Sequence, residues 1–211
     1  MTNEVGLFEA MYTQRALRKF KPEPVSDEHV HKLIEAATKA PSGGNREPWA
    51  FIVIRDEASK RKIGEWYLDA WNTSYGVIPK EAREQMPDGT KRMLSSAEHL
   101  ALHLADAPVF ILVCAREAPP PGWPNVSSHY GSVFPAVQNL LLAARGLGLA
   151  ATLTTLHKTH DAEVKQLLGI PDSVETIALI PVGHPAGKYG PTSRRPVEQV
   201  THWERWGEQK R

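Results

Sequence analysis

Apolar positions in residues 26–40 recur at helical spacing and predict an amphipathic helix. Val30, Leu33, Ile34 and Ala37 fall on one face of it. Ser26 precedes the helix, where a serine oxygen can accept a hydrogen bond from a free amide of the first turn. Pro41 and the glycines that follow end it. This segment is therefore predicted as a helix with one buried face.

Short runs of branched and aromatic residues predict buried strands. They occupy residues 49–54, 109–114 and, with a weaker pattern, 176–182. Residues 150–156 (AATLTTL) predict a further strand, and residues 160–168 a short helix that Gly169 and Pro171 end. Helices thus interleave with strands without a regular βαβ alternation. This order favours an α+β fold with a central sheet covered by helices.

Residues 128–145 are apolar on nearly every side of a predicted long helix. A helix without a polar face must be covered all round. In a chain of 211 residues, we expect a subunit interface to supply part of that cover.

Three segments show no regular pattern. Residues 67–92 and 119–130 carry or adjoin several aromatic residues, and long insertions of this kind are typical of lids and binding loops. We therefore expect a lid insertion at residues 67–92. The tail, residues 183–211, is polar but contains Trp203 and Trp206, and we expect it to wrap a neighbouring subunit. The aromatic candidates for pocket walls are Trp66, Trp71, Tyr75 and Trp123.

Composition narrows the function. At about 100–200 residues per domain, the chain is predicted to form a single domain, residues 1–211. Its net charge of +1 argues against a nucleic-acid partner. No apolar run approaches the roughly 18 residues of a membrane span, and Met1 to Ala10 lack a signal-peptide pattern. We therefore expect a cytoplasmic protein without nucleic-acid or membrane partners.

Several apparent motifs do not carry chemistry. The G-x-G-x-x-A sequence at residues 146–151 follows a predicted helix and precedes a strand, the reverse of a dinucleotide fingerprint, so we interpret it as a helix end. His99 and His103 have helical spacing but lack the glutamate of H-E-x-x-H, and we expect a solvated face and no metal site. Cys114, the sole cysteine, lies in an apolar run and is expected to be a buried, inert thiol.

Three stretches are informative together. R-x-x-R-K-F ends at Phe20, A-P-S-G-G-N-x-x-P-W ends at Trp49, and a late G-x-P precedes R-R-P at residues 194–196. In this order and spacing they resemble the FMN-dependent nitroreductase family, and the resemblance extends over residues 12–200. It implies an α+β fold with a central mixed β-sheet flanked by helices, an interface-forming long helix and a C-terminal extension that wraps the partner. It also implies a homodimer with FMN at the subunit interface.

The resemblance also implies roles for individual residues. Arg15 and Arg194 match positions that hold the FMN phosphate, and Arg18 matches a basic residue near the N1–C2 edge of the flavin, where a cation favours the reduced state. Gln14 and Ala16 depart from the Arg and Ser common at their positions, and Arg195 could compensate. The remaining cofactor-binding positions are a loop expected from the partner chain and a strand end near flavin N5: Pro41, Ser42, Gly43 and Asn45, then Leu153, Thr154 and Thr155.

The implied activity is hydride transfer from NADH or NADPH through FMN to a small electron-poor acceptor, such as a nitroaromatic or quinone, with ping-pong kinetics. No side chain is assigned as catalytic, because the flavin does the chemistry. Two alternatives stay open: a specialised relative that performs reductive dehalogenation or flavin fragmentation, and a non-catalytic flavin-binding protein. The sequence does not decide between NADH and NADPH; Lys80 and Lys91 are candidates for a 2′-phosphate site.

Overall fold

The computed structural model describes residues 5–117 and 126–209. Within these residues the chain forms seven α-helices: α1 (Leu7–Thr13), α2 (Asp27–Thr38), α3 (Glu57–Ser74), α4 (Lys80–Glu84), α5 (Asp88–His103), α6 (Val126–Gly146) and α7 (Asp161–Leu168). The four strands are β1 (Trp49–Ile54), β2 (Val109–Ala115), β3 (Ala150–Ala151) and β4 (Glu175–Gly183). Short 3-10 turns lie at Gly43–Asn45, Leu104–Asp106, Leu156–His160 and Val197–Gln199. The predicted α+β fold is confirmed.

The strands form one sheet in the order β1-β2-β4-β3. The sheet was expected to be mixed, and this detail is wrong for the described strands, which all pair antiparallel. The strands are antiparallel because the connections between paired strands leave and return at the same end of the sheet. Ile54 at the end of β1 pairs with Phe110 at the start of β2, so the helical segment α3–α5 leaves and returns at the same end of the sheet. Ala115 pairs with Glu175 in the same way across the connection to β4.

The sheet lies between two helical layers. Alternate residues of β2, beginning with Val109, pack towards α2 and α6, while Phe110, Leu112 and Cys114 pack towards α3 and α5. Burial raises the pKa of the Cys114 thiol to about 11, in agreement with the predicted inert thiol.

Helix α2 follows the sequence prediction closely. The Ser26 side chain accepts a hydrogen bond from the His29 amide at 3.2 Å. Val30, Leu33 and Ala37 are buried against the core. Helix α6 also forms as predicted, and Gly148 after it has a φ of 71°, which favours glycine.

The expectation that residues 67–92 lack regular structure is wrong. They belong to α3, α4 and α5. Tyr67 and Trp71 are buried on the same face of α3 as Ile63, at helical spacing. Most charged residues of this segment lie on α4 and α5, where they are exposed or half-buried, and their density obscured the apolar stripe.

The strand predicted at residues 150–156 is shorter than expected. Only Ala150–Ala151 form β3, and Thr154 makes an isolated bridge to Leu179. The chain then turns into the Leu156–His160 3-10 helix. Trp123, expected in an irregular segment, lies outside the described residues.

After β4 the chain continues as an extended tail with one 3-10 turn. In the described part of the chain no helix is both long and apolar enough to cross a membrane.

Candidate functional site

A cleft of about 640 Å³ opens where both ends of the chain meet α5. We call it the arginine cleft. Its lining comes from the N-terminal segment, α5, α6, the residues after β3 and the tail: Gln14, Arg15, Ala16, Arg18, Gly89, Arg92, Met93, Ser96, Leu141, Thr152, Leu153, Pro191, Thr192, Ser193 and Arg194.

Backbone pairing brings the two ends together. Thr192 donates its amide to the Tyr12 carbonyl at 2.9 Å, and Ala186 donates to the Lys19 carbonyl at 3.0 Å. Phe20 forms an antiparallel bridge with Pro185. Residues 12–21 thus run antiparallel beside residues 184–192, and we call this pair of segments the terminal ribbon. It brings Arg15 and Arg18 into the same cleft as Arg194.

Helix α6 anchors the ribbon. Arg145 donates to Thr13 Oγ1 at 2.8 Å and to Glu9 Oε1 at 3.0 Å, and its guanidinium lies 4.5 Å from the ring of Tyr189. The Tyr189 hydroxyl donates to the Leu149 carbonyl, and burial raises the pKa of Tyr189 to about 12. Both segments of the ribbon are therefore tied to the core.

Helix α5 forms the wall that the sequence analysis missed. One face of α5 lines the cleft with residues spaced three and four apart: Gly89, Arg92, Met93 and Ser96. Arg18 Nη1 donates to Ser96 Oγ at 3.3 Å and links the ribbon to this wall. The spacing of these residues along the sequence could have predicted a helix that lines the site. The sequence analysis instead interpreted residues 67–92 as an irregular lid.

The cleft carries uncompensated positive charge. Arg15, Arg18, Arg92 and Arg194 line it, and no acidic residue does. Among the described residues none of the four forms an ion pair, whereas Arg83 elsewhere pairs with Glu98 at 3.0 Å. Burial lowers the pKa of Arg18, but a guanidinium stays charged in proteins. Four such cations suit an anionic ligand with phosphate or carboxylate groups.

Of the predicted strand-end residues, one reaches the cleft. Leu153 lines it, whereas Thr154 is buried behind the wall and shares a 2.7 Å hydrogen bond with the Tyr67 hydroxyl. Thr155 is exposed and also lies outside the lining. Burial raises the pKa of Tyr67, so its hydroxyl stays protonated. The Tyr67–Thr154 contact fixes the backbone that presents Leu153.

The loop that carries Pro41, Ser42, Gly43 and Asn45 does not line the cleft of its own chain. The Gly43 amide donates to Ser132 Oγ in the first half of α6 at 3.1 Å, and Ser42 Oγ accepts from the Glu47 amide at 3.0 Å. The cleft meets α6 only at Leu141. Nine residues of helix correspond to about 14 Å, so loop and cleft lie apart along α6. The prediction that this loop serves a partner's cofactor remains a prediction.

Three of the four aromatic candidates for pocket walls are among the described residues, and they lie away from the arginine cleft. Trp71 is buried with its ring 5.2 Å from that of Tyr75, and the Trp66 ring stacks 6.2 Å from that of His160. None of these three lines the arginine cleft. The described residues contain no group of three or more His, Cys, Asp or Glu side chains arranged to hold a metal ion.

Comparisons with known proteins agree with this architecture. The model of the nitroreductase family matches residues 12–184. A Methanothermobacter thermautotrophicus protein, provisionally named NADH dehydrogenase/NAD(P)H nitroreductase, is 30% identical and aligns over 97% of this chain and 90% of its own. Drosophila melanogaster iodotyrosine deiodinase is 31% identical over 85% of this chain and 62% of its own. The structure of oxidised iodotyrosine deiodinase bound to FMN and 3-iodo-L-tyrosine superposes with a TM-score of 0.70 at 26% identity, covering 90% of this chain and 95% of that one.

Proposed function

The chain belongs to the nitroreductase family, and from this premise we propose that it is an FMN-dependent oxidoreductase. It would transfer hydride from NADH or NADPH to a small electron-poor acceptor such as a nitroaromatic or a quinone. The observation that carries the proposal is the arginine cleft, where four guanidinium groups converge without a carboxylate. A doubly charged phosphate is the group that such an arrangement accommodates best.

The residues present fit FMN. The cleft of about 640 Å³ falls within the range of roughly 300–1,000 Å³ that is usual for cofactor sites. Arg15, in the first segment of the terminal ribbon, and Arg194, just after its second segment, would hold the phosphate. Arg92 supplies a further cation that the sequence analysis did not foresee, and it offsets the neutral residues at positions 14 and 16.

When bound, FMN supplies the hydride-accepting centre, so the chain needs no general acid or base of its own. Its task is to orient ligands and to stabilise negative charge. Arg18 is suited to the second role because it is half-buried and lacks a described carboxylate partner, so its field is only weakly screened. Ser96 keeps one side of that guanidinium in place.

We also propose that the cofactor site is completed by a second copy of the chain. Large apolar side chains are exposed on α1, on α6 and in the tail: Leu7, Phe8, Met11, Phe134 and Trp206. Trp206 is 90% exposed in the single chain. Surfaces of this kind usually mark interfaces. A homodimer would cover them and could bring the 41–45 loop of one subunit to the cleft of the other.

The first test is the visible spectrum of the purified protein, followed by anaerobic addition of NADPH and, separately, NADH. Flavin bands that bleach with either nucleotide would support the proposal. Flavin that binds but is reduced by neither nucleotide would overturn the assignment of NADH or NADPH as the electron donor. Failure to bind added FMN would overturn the cofactor assignment as well.

Replacement of Arg18 by Ala tests its role. We expect Arg18→Ala to slow anaerobic flavin reduction by about tenfold to a hundredfold, because a charge-assisted interaction contributes about 1.5–3 kcal/mol. It should also lower the midpoint potential of the bound flavin, whereas Arg18→Lys should restore both in part. Arg61→Ala, on the exposed face of α3, is the control. An unchanged potential and rate in Arg18→Ala would contradict the role.

The deiodinase relatives favour one second candidate, reductive dehalogenation of a halogenated aromatic. In that reaction two electrons and a proton convert a C–I bond to C–H and release iodide. Incubation of the dithionite-reduced protein with 3-iodo-L-tyrosine, with iodide measured by an electrode, tests this candidate. Iodide release comparable to the rate of nitroaromatic reduction would favour it, and its absence would remove it.

A further inference from the structure

A second cleft adjoins the arginine cleft on the neighbouring face of α5. Its volume is about 520 Å³, and we call it the lysine cleft after two of its lining residues: Lys19, Lys91, Arg92, Ser95, Ser96 and His99. Arg92 and Ser96 line both clefts, so the two cavities share a wall. The two clefts therefore lie next to each other, with Arg92 and Ser96 at their common boundary.

The lysine cleft has an excess of positive charge. Lys91 pairs with Asp88 at 2.9 Å, but neither Lys19 nor Arg92 forms an ion pair with a described carboxylate. Burial and the nearby His103 and Lys19 lower the pKa of His99, while Asp106 opposes this effect. His99 is therefore neutral at physiological pH and can donate one hydrogen bond. Two uncompensated cations and several neutral donors match a dianion better than a single carboxylate.

The charged groups project from fixed backbone. Lys19 lies in the terminal ribbon, where its carbonyl accepts from the Ala186 amide at 3.0 Å. Lys91, Ser95 and His99 follow one another at intervals of four residues along α5, which places them in one row. The backbone positions of the set are thus fixed before any ligand binds, although the exposed Lys19 side chain must still be ordered by the ligand.

We propose that the lysine cleft binds the 2′-phosphate of NADPH, and that the protein is consequently selective for NADPH over NADH. This inference rests on the proposed function, since it assigns the electron donor of the same site. The 2′-phosphate is a dianion that NADPH carries and NADH lacks. The arginine cleft next to it is the cavity in which we place the flavin, so a dinucleotide that reacts there can reach the lysine cleft across Arg92.

The test measures binding and reduction separately on the FMN-loaded protein. Calorimetry compares 2′,5′-ADP, which carries the 2′-phosphate, with 5′-AMP, which does not. Stopped-flow absorbance compares anaerobic flavin reduction by NADPH and NADH. The variants are Lys19→Met and Lys91→Met, and the matched control is Lys32→Met, which removes an exposed lysine of α2.

We expect Lys19→Met to weaken 2′,5′-ADP binding and NADPH-driven reduction about tenfold, the loss expected for one charge-assisted contact. Reduction by NADH should change less than twofold. Lys91→Met should have a smaller effect of the same kind, since Asp88 already neutralises much of its charge. Lys32→Met should match the unmodified protein.

Equal reduction by NADH and NADPH, with no difference between 2′,5′-ADP and 5′-AMP, would overturn this inference and leave the proposed function intact. Equal losses for both nucleotides in Lys19→Met would also overturn it, because Lys19 would then serve a group common to both. Flavin that neither nucleotide reduces would overturn the proposed function and this inference with it.

Discussion

Arg15 lies in the first segment of the terminal ribbon and Arg194 just after the second, and neither guanidinium has a described carboxylate partner. Both side chains are exposed, so water screens their mutual repulsion in the absence of a ligand, and both are available to bind an anionic group. The proposed function assigns that ligand as the FMN phosphate. Riboflavin has the same ring system as FMN but lacks the phosphate. A comparison of the two ligands therefore distinguishes phosphate binding from binding of the flavin ring.

We expect Arg15→Ala and Arg194→Ala each to weaken FMN binding by about tenfold or more, at about 1.5–3 kcal/mol per charge-assisted contact. Riboflavin binding should change little in the same variants. Fluorescence titration with both flavins measures the two effects, and Arg61→Ala is again the control. Parallel losses for FMN and riboflavin would contradict the phosphate assignment and indicate a structural defect instead.

His157 is a buried residue that the function does not use. It is fully buried, its Nε2 lies 3.2 Å from Thr176 Oγ1, and its Nδ1 has no hydrogen-bond partner among the described residues. Burial lowers its pKa to about 4, from the ordinary 6.5. The unfolded chain therefore binds a proton at a higher pH than the folded chain does.

This difference predicts acid sensitivity. Stability due to neutral His157 is complete above pH 6.5 and is lost as pH falls from about 6.5 to 4, by roughly 2 kcal/mol at pH 5. Urea denaturation at several pH values measures it. The His157→Asn variant should be less stable at pH 7 but should lose about 2 kcal/mol less between pH 7 and pH 5. Identical pH slopes for the two proteins would show that another group controls acid unfolding.

At the level of elements, the sequence predicted those parts whose patterns are local. Ser26 marked the start of α2, and the apolar run at residues 109–114 marked β2, because both signals lie within the element itself. The segment at residues 67–92 was misassigned because it contains only the end of α3, the short α4 and the start of α5, and the buried faces of these helices become apparent only against the sheet. Arg92 was missed as a consequence, since its place in the site depends on the α5 face that it shares with Ser96.

The terminal ribbon depends on close packing at the end of β4. A Cβ atom at Gly183 would lie 2.7 Å from Pro108 Cδ and 2.9 Å from Phe20 Cδ1. Both neighbours are ring atoms packed against the core, so they have little freedom to move aside. Gly183 therefore lets the ribbon lie directly on the sheet, where Phe20 pairs with Pro185.

We expect Gly183→Ala to destabilise the fold by about 1–3 kcal/mol, at about 2–4 °C of Tm per kcal/mol for a chain of this size. FMN affinity should fall with it, because the ribbon carries Arg15 and leads directly to Arg194. Gly187→Ala, where nothing lies within 4 Å of an added Cβ, is the matched control. Differential scanning calorimetry gives Tm. A Tm equal to that of Gly187→Ala would show that the packing relaxes without cost.

At the level of the whole molecule, a single chain brings together only part of the predicted site. The arginine cleft collects Gln14, Arg15, Ala16, Arg18, Leu153 and Arg194, whereas the loop at residues 41–45 lies about 14 Å away along α6. The family resemblance predicted both groups of residues, but the pattern along one chain cannot show which copy supplies each. Only the arrangement of the subunits would show which copy supplies the cleft and which supplies the loop. We expect a second copy to pack on the exposed apolar residues of α1 and the tail.

Mixed dimers test this arrangement. One subunit carries Arg15→Ala/Arg194→Ala, and the other carries Ser42→Ala/Asn45→Gly, in which glycine preserves the positive φ of 53° at position 45. If each site combines the cleft of one subunit with the loop of its partner, the mixed dimer has one site with both defects and one with neither. Titration with FMN should then show full affinity at half of the sites, although both parent homodimers bind FMN about tenfold more weakly or worse.

If cleft and loop act within one chain, every site of the mixed dimer carries a defect and no site regains full affinity. Dual affinity tags isolate the mixed species, and a chain that stays monomeric during size-exclusion chromatography with light scattering would contradict the shared site directly.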